Sequence, residues 1–162
     1  WQSSDGDTWT LINHFTNHLV IKDLFVSLQT LFICLDIDLY IFNDATSPFV
    51  TVTSRTTEFN TSGLSAISWQ CGADVNGVAH VIGSSVNQYA LKTSIDDGAT
   101  FTQRILFPIG ISVFNGIAFN GLFYYMRQYG SNCALYSYNL GTTTDTFIYE
   151  FKGILPVSSS SL

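Results

Sequence analysis

Ser94-Ile95-Asp96-Asp97-Gly98-Ala99-Thr100-Phe101 spells Ser-x-Asp-x-Gly-x-Thr-aromatic, and the reading of this octet decides the fold. A short acceptor at Asp96 can satisfy turn amides, Gly98 can take a positive φ, and Phe101 can pack between layers. The octet therefore reads as a polar turn that feeds a strand. Weaker copies stand elsewhere. Ser3-Ser4-Asp5-Gly6-Asp7-Thr8-Trp9 keeps Gly6, Thr8 and Trp9, with Ser4 or Asp5 in the acidic place. Ser137-Tyr138-Asn139-Leu140-Gly141-Thr142-Thr143 keeps Ser137, Gly141 and Thr143, with Asn139 for the acid.

Around these octets a longer repeat emerges, in which an Asn-Gly turn precedes two apolar strands and then the polar turn. Asn76-Gly77 leads through residues 78–82 and 89–91 to Asp96, and Asn120-Gly121 leads through 122–126 and 134–136 to Asn139. A third copy runs from Gln29-Thr30 through 31–34 and 39–42 to Asn43, having lost the glycine and threonine of the octet. A strand is expected after each octet, at residues 9–15, 49–53, 101–107 and 146–151. Units of about 40 to 50 residues built from four short strands fit sheets that bury both faces against their neighbours. Residues 19–28 are open to a second reading as an amphipathic helix, because Leu24, Phe25 and Leu28 fall at helical spacing. Their β-branched content and place in the repeat favour a strand.

The octets resemble the Asp-box, or BNR repeat, of sialidase-like β-propellers. That resemblance implies an all-β fold, a β-propeller-like array of four-stranded antiparallel blades in which the boxes join the last two strands. It also implies structural roles for Asp5, Gly6, Thr8, Trp9, Asn43, Ser94, Asp96, Gly98, Thr100, Phe101, Ser137, Asn139, Gly141 and Thr143, since Asp-boxes in that family lie away from the catalytic face. The expected organisation is one repeat domain over residues 1–157, about three blades plus an extra strand, and a Ser-rich tail at 158–162. Closed propellers have about four to eight blades, so the ring is expected to be completed by identical copies, other protein partners or the rest of a larger protein.

Composition narrows the partners. Only 11% of residues are charged and 15% are aromatic, which suits covered sheets in an assembly better than a free cytosolic monomer. The net charge is −6, and Lys22, Arg55, Lys92, Arg104, Arg127 and Lys152 are scattered, so nucleic acid and anionic membrane are poor partners. Residues 105–126 carry no charge over a length that could cross a bilayer. Pro108, Gly110 and the turn pairs Asn115-Gly116 and Asn120-Gly121 instead break that run into hairpins, so no membrane span is expected. Cys34, Cys71 and Cys133 are too few and too widely spaced for a disulfide framework or a metal knuckle, and are expected as buried free thiols.

No cofactor or metal is expected: His14, His18 and His80 form no ligand cluster, and no phosphate loop or serine elbow is present. The sialidase chemistry of the resembling family needs three arginines and a tyrosine activated by a glutamate. Arg55, Arg104, Arg127 and the adjacent Tyr149-Glu150 match by count, yet adjacent residues on a strand point to opposite faces. Asp36 and Asp38 would share one strand face, as the paired carboxylates of a glycosidase would, although a solvent-facing strand edge or turn is the favoured reading. With Arg127 and Tyr124 they are the candidate ligand contacts, and exposed tyrosines can stack on sugar rings. The leading expectation is a non-catalytic structural or recognition module of an extracellular or virion assembly, for example a phage tail or fibre component, with glycan as a candidate ligand. A fragment of a glycoside hydrolase and an assembly-factor scaffold are the alternatives.

Overall fold

A computed structural model of the chain describes residues 6–8, 20–35, 39–43, 52–54, 67–85 and 88–153. Among them every regular element is a strand. β1 (Ile21–Ser27), β2 (Thr30–Leu35), β3 (Leu39–Asn43) and β4 (Val52–Ser54) form the first sheet. β5 (Ile67–Val75), β6 (Val78–Ser85), β7 (Gln88–Ser94) and β8 (Thr102–Leu106) form the second. β9 (Ser112–Phe119), β10 (Leu122–Tyr129), β11 (Asn132–Asn139) and β12 (Thr144–Phe151) form the third. Each sheet is a meander in which a strand pairs antiparallel with its neighbours in sequence. The described residues are thus all-β, and they do not close into a barrel or ring.

The ambiguous segment at 19–28 supplies β1. The uncharged run at 105–126 is divided among the end of β8, all of β9 and the start of β10. Among the described residues no helix is long and apolar enough to cross a membrane.

Local chemistry explains the hairpins. Asn76 (φ 55°) with Gly77 (φ 78°), and Asn120 (φ 48°) with Gly121 (φ 71°), make two-residue turns whose positive φ values match the twist of the flanking strands. Asn115-Gly116, expected as a third such turn, lies inside β9 instead. Phe114 pairs with Met126 and Gly116 with Tyr125, so Asn115 (φ 52°) is the extra residue of a bulge. An Asn-Gly pair supplies a left-handed residue equally well to a turn or to a bulge, which is why the sequence pattern misleads at this point. Bulges recur at matching places. Lys22 and Gln70 are skipped in the first strands of their sheets, and Arg104 and Ile148, 44 residues apart, in the fourth strands of theirs.

The second sheet is buried on both faces. Ala79 and Val81 of β6 join Trp69 and Ala90 against Phe32, Cys34, Leu39 and Ile41 of the first sheet. The intervening His80 and Ile82 point the other way, where Ile82 joins Cys71, Val75 and Leu91 against Phe123, Tyr125 and Tyr138 of the third sheet. Two apolar faces per strand are the physical reason for the continuous apolar runs in the sequence. The three cysteines form no disulfide with one another and are buried, and burial raises the Cys34 and Cys71 thiols above their ordinary pKa.

Neighbouring sheets approach most closely along their first strands, β1 to β5 and β5 to β9. Two glycines make the approach possible. A Cβ on Gly72 would collide with the Phe25 ring and stand 2.8 Å from the His80 carbonyl oxygen. One on Gly116 would stand 2.6 Å from the Phe123 ring and 3.1 Å from Cys71 Sγ. Polar clasps hold the first pair: the Gly72 amide donates to Asp23 Oδ2 at 2.9 Å, and Ser27 Oγ donates to Asp74 Oδ2 at 2.5 Å.

Candidate functional site

The octet at 94–101 connects β7 to β8, and its side chains organise the turn around one carboxylate. Ser94 Oγ donates to Asp96 Oδ1 at 2.8 Å and accepts the Gly98 amide at 2.8 Å. Thr100 donates twice to Asp96, from its amide to Oδ1 at 2.9 Å and from Oγ1 to Oδ2 at 2.6 Å. The Ala99 amide donates to the Asp96 carbonyl at 3.0 Å, and Asp97 (φ 55°) and Gly98 (φ 80°) carry the reversal. These bonds to the ionised form, led by the Thr100 hydroxyl, hold the Asp96 carboxyl below its ordinary pKa. The turn is seated on its neighbour, because a Cβ on Gly98 would collide with Ile41 and come within 2.9 Å of Phe32, both in the first sheet. Phe101 follows it into the same core, tilted against Trp69 at 6.2 Å.

The other copies differ. Asn139 lies at the corresponding connection of the third sheet, between β11 and β12, but it is paired with Thr144 and the connection is shorter. Its Oδ1 accepts the amides of Gly141 at 2.8 Å and Thr142 at 3.4 Å, and the positive φ falls on Thr143 (53°) rather than on Gly141. Strand register shows why. Ala79 faces Ser94 and Phe123 faces Tyr138, so the strands repeat at 44 residues, whereas Ser137 stands 43 after Ser94. Ser137 is a buried strand residue opposite Thr146, one place away from the position Ser94 holds. Asn43 ends β3, where its backbone pairs with Thr30. Gly6 has a positive φ (82°), and Thr8 is exposed. Asp5 and Trp9 lie outside the described residues.

The candidate contact Arg127 anchors a cluster that pattern reading did not assemble. Alternation along β10 sends Phe123, Tyr125 and Arg127 to the face that meets the second sheet. The guanidinium lies 3.8 Å from the centre of the Tyr136 ring and 4.8 Å from that of Phe107. Its Nη2 is paired with Asp145 of β12 and donates to Tyr125 Oη at 2.8 Å, and the Tyr125 hydroxyl donates in turn to Asp145 Oδ1. Burial, and then the bond to Asp145, push the Tyr125 phenol above its ordinary value. A buried phenol held protonated is a hydrogen-bond donor, not an activated nucleophile. The legible signal was a cation two places after Phe-x-Tyr on an apolar face.

His80 is fully buried between the second and third sheets, stacked on Phe123 at 5.4 Å and edge-on to Tyr138 at 6.0 Å. Burial lowers its pKa, so the ring is neutral and Nδ1 donates to the Val78 carbonyl at 2.9 Å. Nε2 and the Tyr138 hydroxyl have no hydrogen-bond partner among the described residues. Tyr124 sits on the opposite face of β10, half-buried and tilted against Phe119 at 6.4 Å. Tyr149 is exposed against Phe151, while Glu150 meets Asn132 at 3.3 Å and Lys152 at 3.8 Å. Arg104 Nε donates to Thr93 Oγ1 at 2.8 Å, apart from the Arg127 cluster. Asp36, Asp38, Arg55, His14 and His18 lie outside the described residues.

Among the described residues no group of three His, Cys, Asp or Glu side chains is placed to hold a metal ion. No protein-family model matches the chain, and no curated protein matches it either. What the described polar side chains do is visible in their partners: Asp96 closes a turn, Asp23, Ser27 and Asp74 join two sheets, and Arg127 with Asp145 braces a third.

Proposed function

We propose that the chain is a non-catalytic structural or recognition module of an extracellular or virion assembly, of the kind found in a phage tail or fibre. Its sheets act as blades of a β-propeller-like array, and the turn at Asp96 as an Asp-box. The observation that carries this reading is the use of the polar groups. Among the described residues Asp96 is spent on a turn, Asp23, Ser27 and Asp74 on a sheet-to-sheet contact, and Arg127 with Asp145 on bracing the third sheet, and the buried Tyr125 phenol is held protonated. Support for the radial arrangement comes from the first strands, which converge at glycines while the rest of each sheet is separated by aromatic side chains. A charged fraction of only 11% and a sequence rich in Ser and Thr suit a protein that works in an assembly and presents a surface to glycans.

The test is to incubate the purified chain with sialosides and with β-glucans, and in parallel to measure its retention on the same glycans immobilised. No turnover is expected. Cleavage of either class would replace the module with the hydrolase reading.

A further inference from the structure

The outer half of the third sheet departs from the repeat that shapes it. Strand pairs recur 44 residues apart: Lys92 with Gln103 becomes Tyr136 with Phe147, and Ala90 with Leu106 becomes Ala134 with Glu150. On the face turned toward the preceding sheet, the second sheet fills this ground with core. Phe101 packs there against Trp69, and Gly83 lies opposite Trp69 in the next strand. The third sheet has Asp145 in place of Phe101 and Arg127 in place of Gly83. The backbone frame is kept, while apolar filling gives way to a carboxylate and a cation.

The outcome is a mixed surface of rings and polar groups. Register puts Tyr129, Asn132, Tyr136, Phe147 and Glu150 on one face with Arg127 and Asp145. The second sheet covers the inner part of that face at Phe123 and Tyr125 but not the outer part, where Phe147 is 56% exposed and Tyr129 39%. Phe147 stands edge-on to Tyr136 at 5.7 Å, and Arg127 lies across the Tyr136 ring. The polar groups beside these rings have unused bonding capacity. Each Asp145 oxygen takes one bond, from Arg127 or from Tyr125, and a carboxylate oxygen has two lone pairs. Glu150 Oε1 accepts from Asn132 at 3.3 Å. The Tyr129 and Tyr136 hydroxyls lie 3.3 Å apart, so only one of them donates to the other.

We propose that this patch binds a neutral sugar residue of a glycan, with the apolar face of the sugar ring laid on Phe147 and its hydroxyls met by Asp145, Glu150 and the Tyr129–Tyr136 pair. A pyranose carries C–H groups on its face and hydroxyls around its rim, so it needs an exposed ring bordered by acceptors and a donor. Charge selects a neutral sugar. Arg127 is already answered by Asp145, and a sugar carboxylate would have to sit beside Asp145 and Glu150 in a chain of net charge −6. The inference rests on the module reading above and adds to it the place and the class of ligand.

Titration calorimetry of the 162-residue chain tests this with neutral pentasaccharides of glucose, mannose, galactose and N-acetylglucosamine, and with sialyllactose. At least one neutral pentasaccharide binds, and sialyllactose does not. Phe147→Ala weakens that binding about tenfold, the upper end of what an aromatic contact contributes. Glu150→Gln weakens it as well, since an amide nitrogen replaces an acceptor oxygen. Both side chains reach solvent, so both variants keep the wild-type unfolding transition. Tyr149→Ala is the control: Tyr149 is 58% exposed on the opposite face of β12, and its loss leaves binding unchanged. No binding of any neutral pentasaccharide, binding of sialyllactose alone, or wild-type affinity in both Phe147→Ala and Glu150→Gln would overturn the proposal. So would a loss at Tyr149→Ala equal to that at Phe147→Ala. Each of those results without turnover leaves the module reading standing, whereas cleavage of any of these sugars removes that reading whatever the variants show.

Discussion

Replacing Gly98 by alanine separates the two jobs of the octet, reversing the chain and seating it on the neighbouring sheet. Gly98 has φ 80°, and an added methyl meets Ile41 and Phe32. Gly110 has φ 86° with no atom within 4 Å of the same added methyl, so it carries the backbone cost alone. A left-handed conformation costs an L-residue about 1–2 kcal/mol, and overpacking a core typically costs about 1–3 kcal/mol. Gly110→Ala should therefore lose about 1–2 kcal/mol and Gly98→Ala about 2–5 kcal/mol. At this chain length each kcal/mol moves the midpoint by roughly 2–4 °C, so thermal unfolding followed by circular dichroism resolves the two. Ile41→Val removes the colliding Cδ1, and in that background Gly98→Ala should cost measurably less, a coupling that a double-mutant cycle reads directly. Equal losses at Gly98 and Gly110, or no coupling to Ile41, would refute the seating of the turn on the first sheet.

Asp96→Ala removes the acceptor of both Thr100 bonds, and at this exposed turn a loss of about 1 kcal/mol is expected in urea unfolding, with Asp96→Asn losing less. His80 has a pKa below its ordinary 6.5 in the folded chain, so its contribution is present in full above pH 6.5 and is lost as pH falls from there through the lower folded value. His80→Phe should flatten that part of the pH–stability curve. Arg127→Ala leaves Asp145 and the Tyr125 hydroxyl without their cation and should cost about 2–3 kcal/mol, whereas Arg127→Met with Asp145→Leu should recover most of it. The three buried thiols should react with a disulfide reagent only as fast as the chain opens, so that adding denaturant accelerates labelling in step with unfolding.

The strands and hairpins were legible because each depends on a few adjacent residues. Asn76-Gly77 and Asn120-Gly121 announce tight turns, and runs such as Val78 to Ile82 announce strands covered on both sides. Long-range placement was not legible. Asn115-Gly116 has the letters of a turn and becomes a bulge, since the choice is made by the register against Tyr125 and Met126 in the partner strand. Matching the octets letter by letter aligned Ser137 with Ser94, but register follows apolar burial and places Tyr138 there instead. The Arg127 cluster draws on β10, β11, β12 and the residue after β8, and no local pattern joins side chains so far apart in sequence.

Pairing confined to consecutive strands also governs how the chain is made. A meander closes only short loops, so little entropy is spent before each new strand is rewarded, and folding of such topologies is comparatively fast. A sheet can be completed while the ribosome is still making the next one. The close-approach glycines then set an order: β5 settles at Gly72 once Phe25 is in place, and β9 at Gly116 once Cys71 is in place. Synthesis from the N-terminus presents each of these docking surfaces before the strand that needs it.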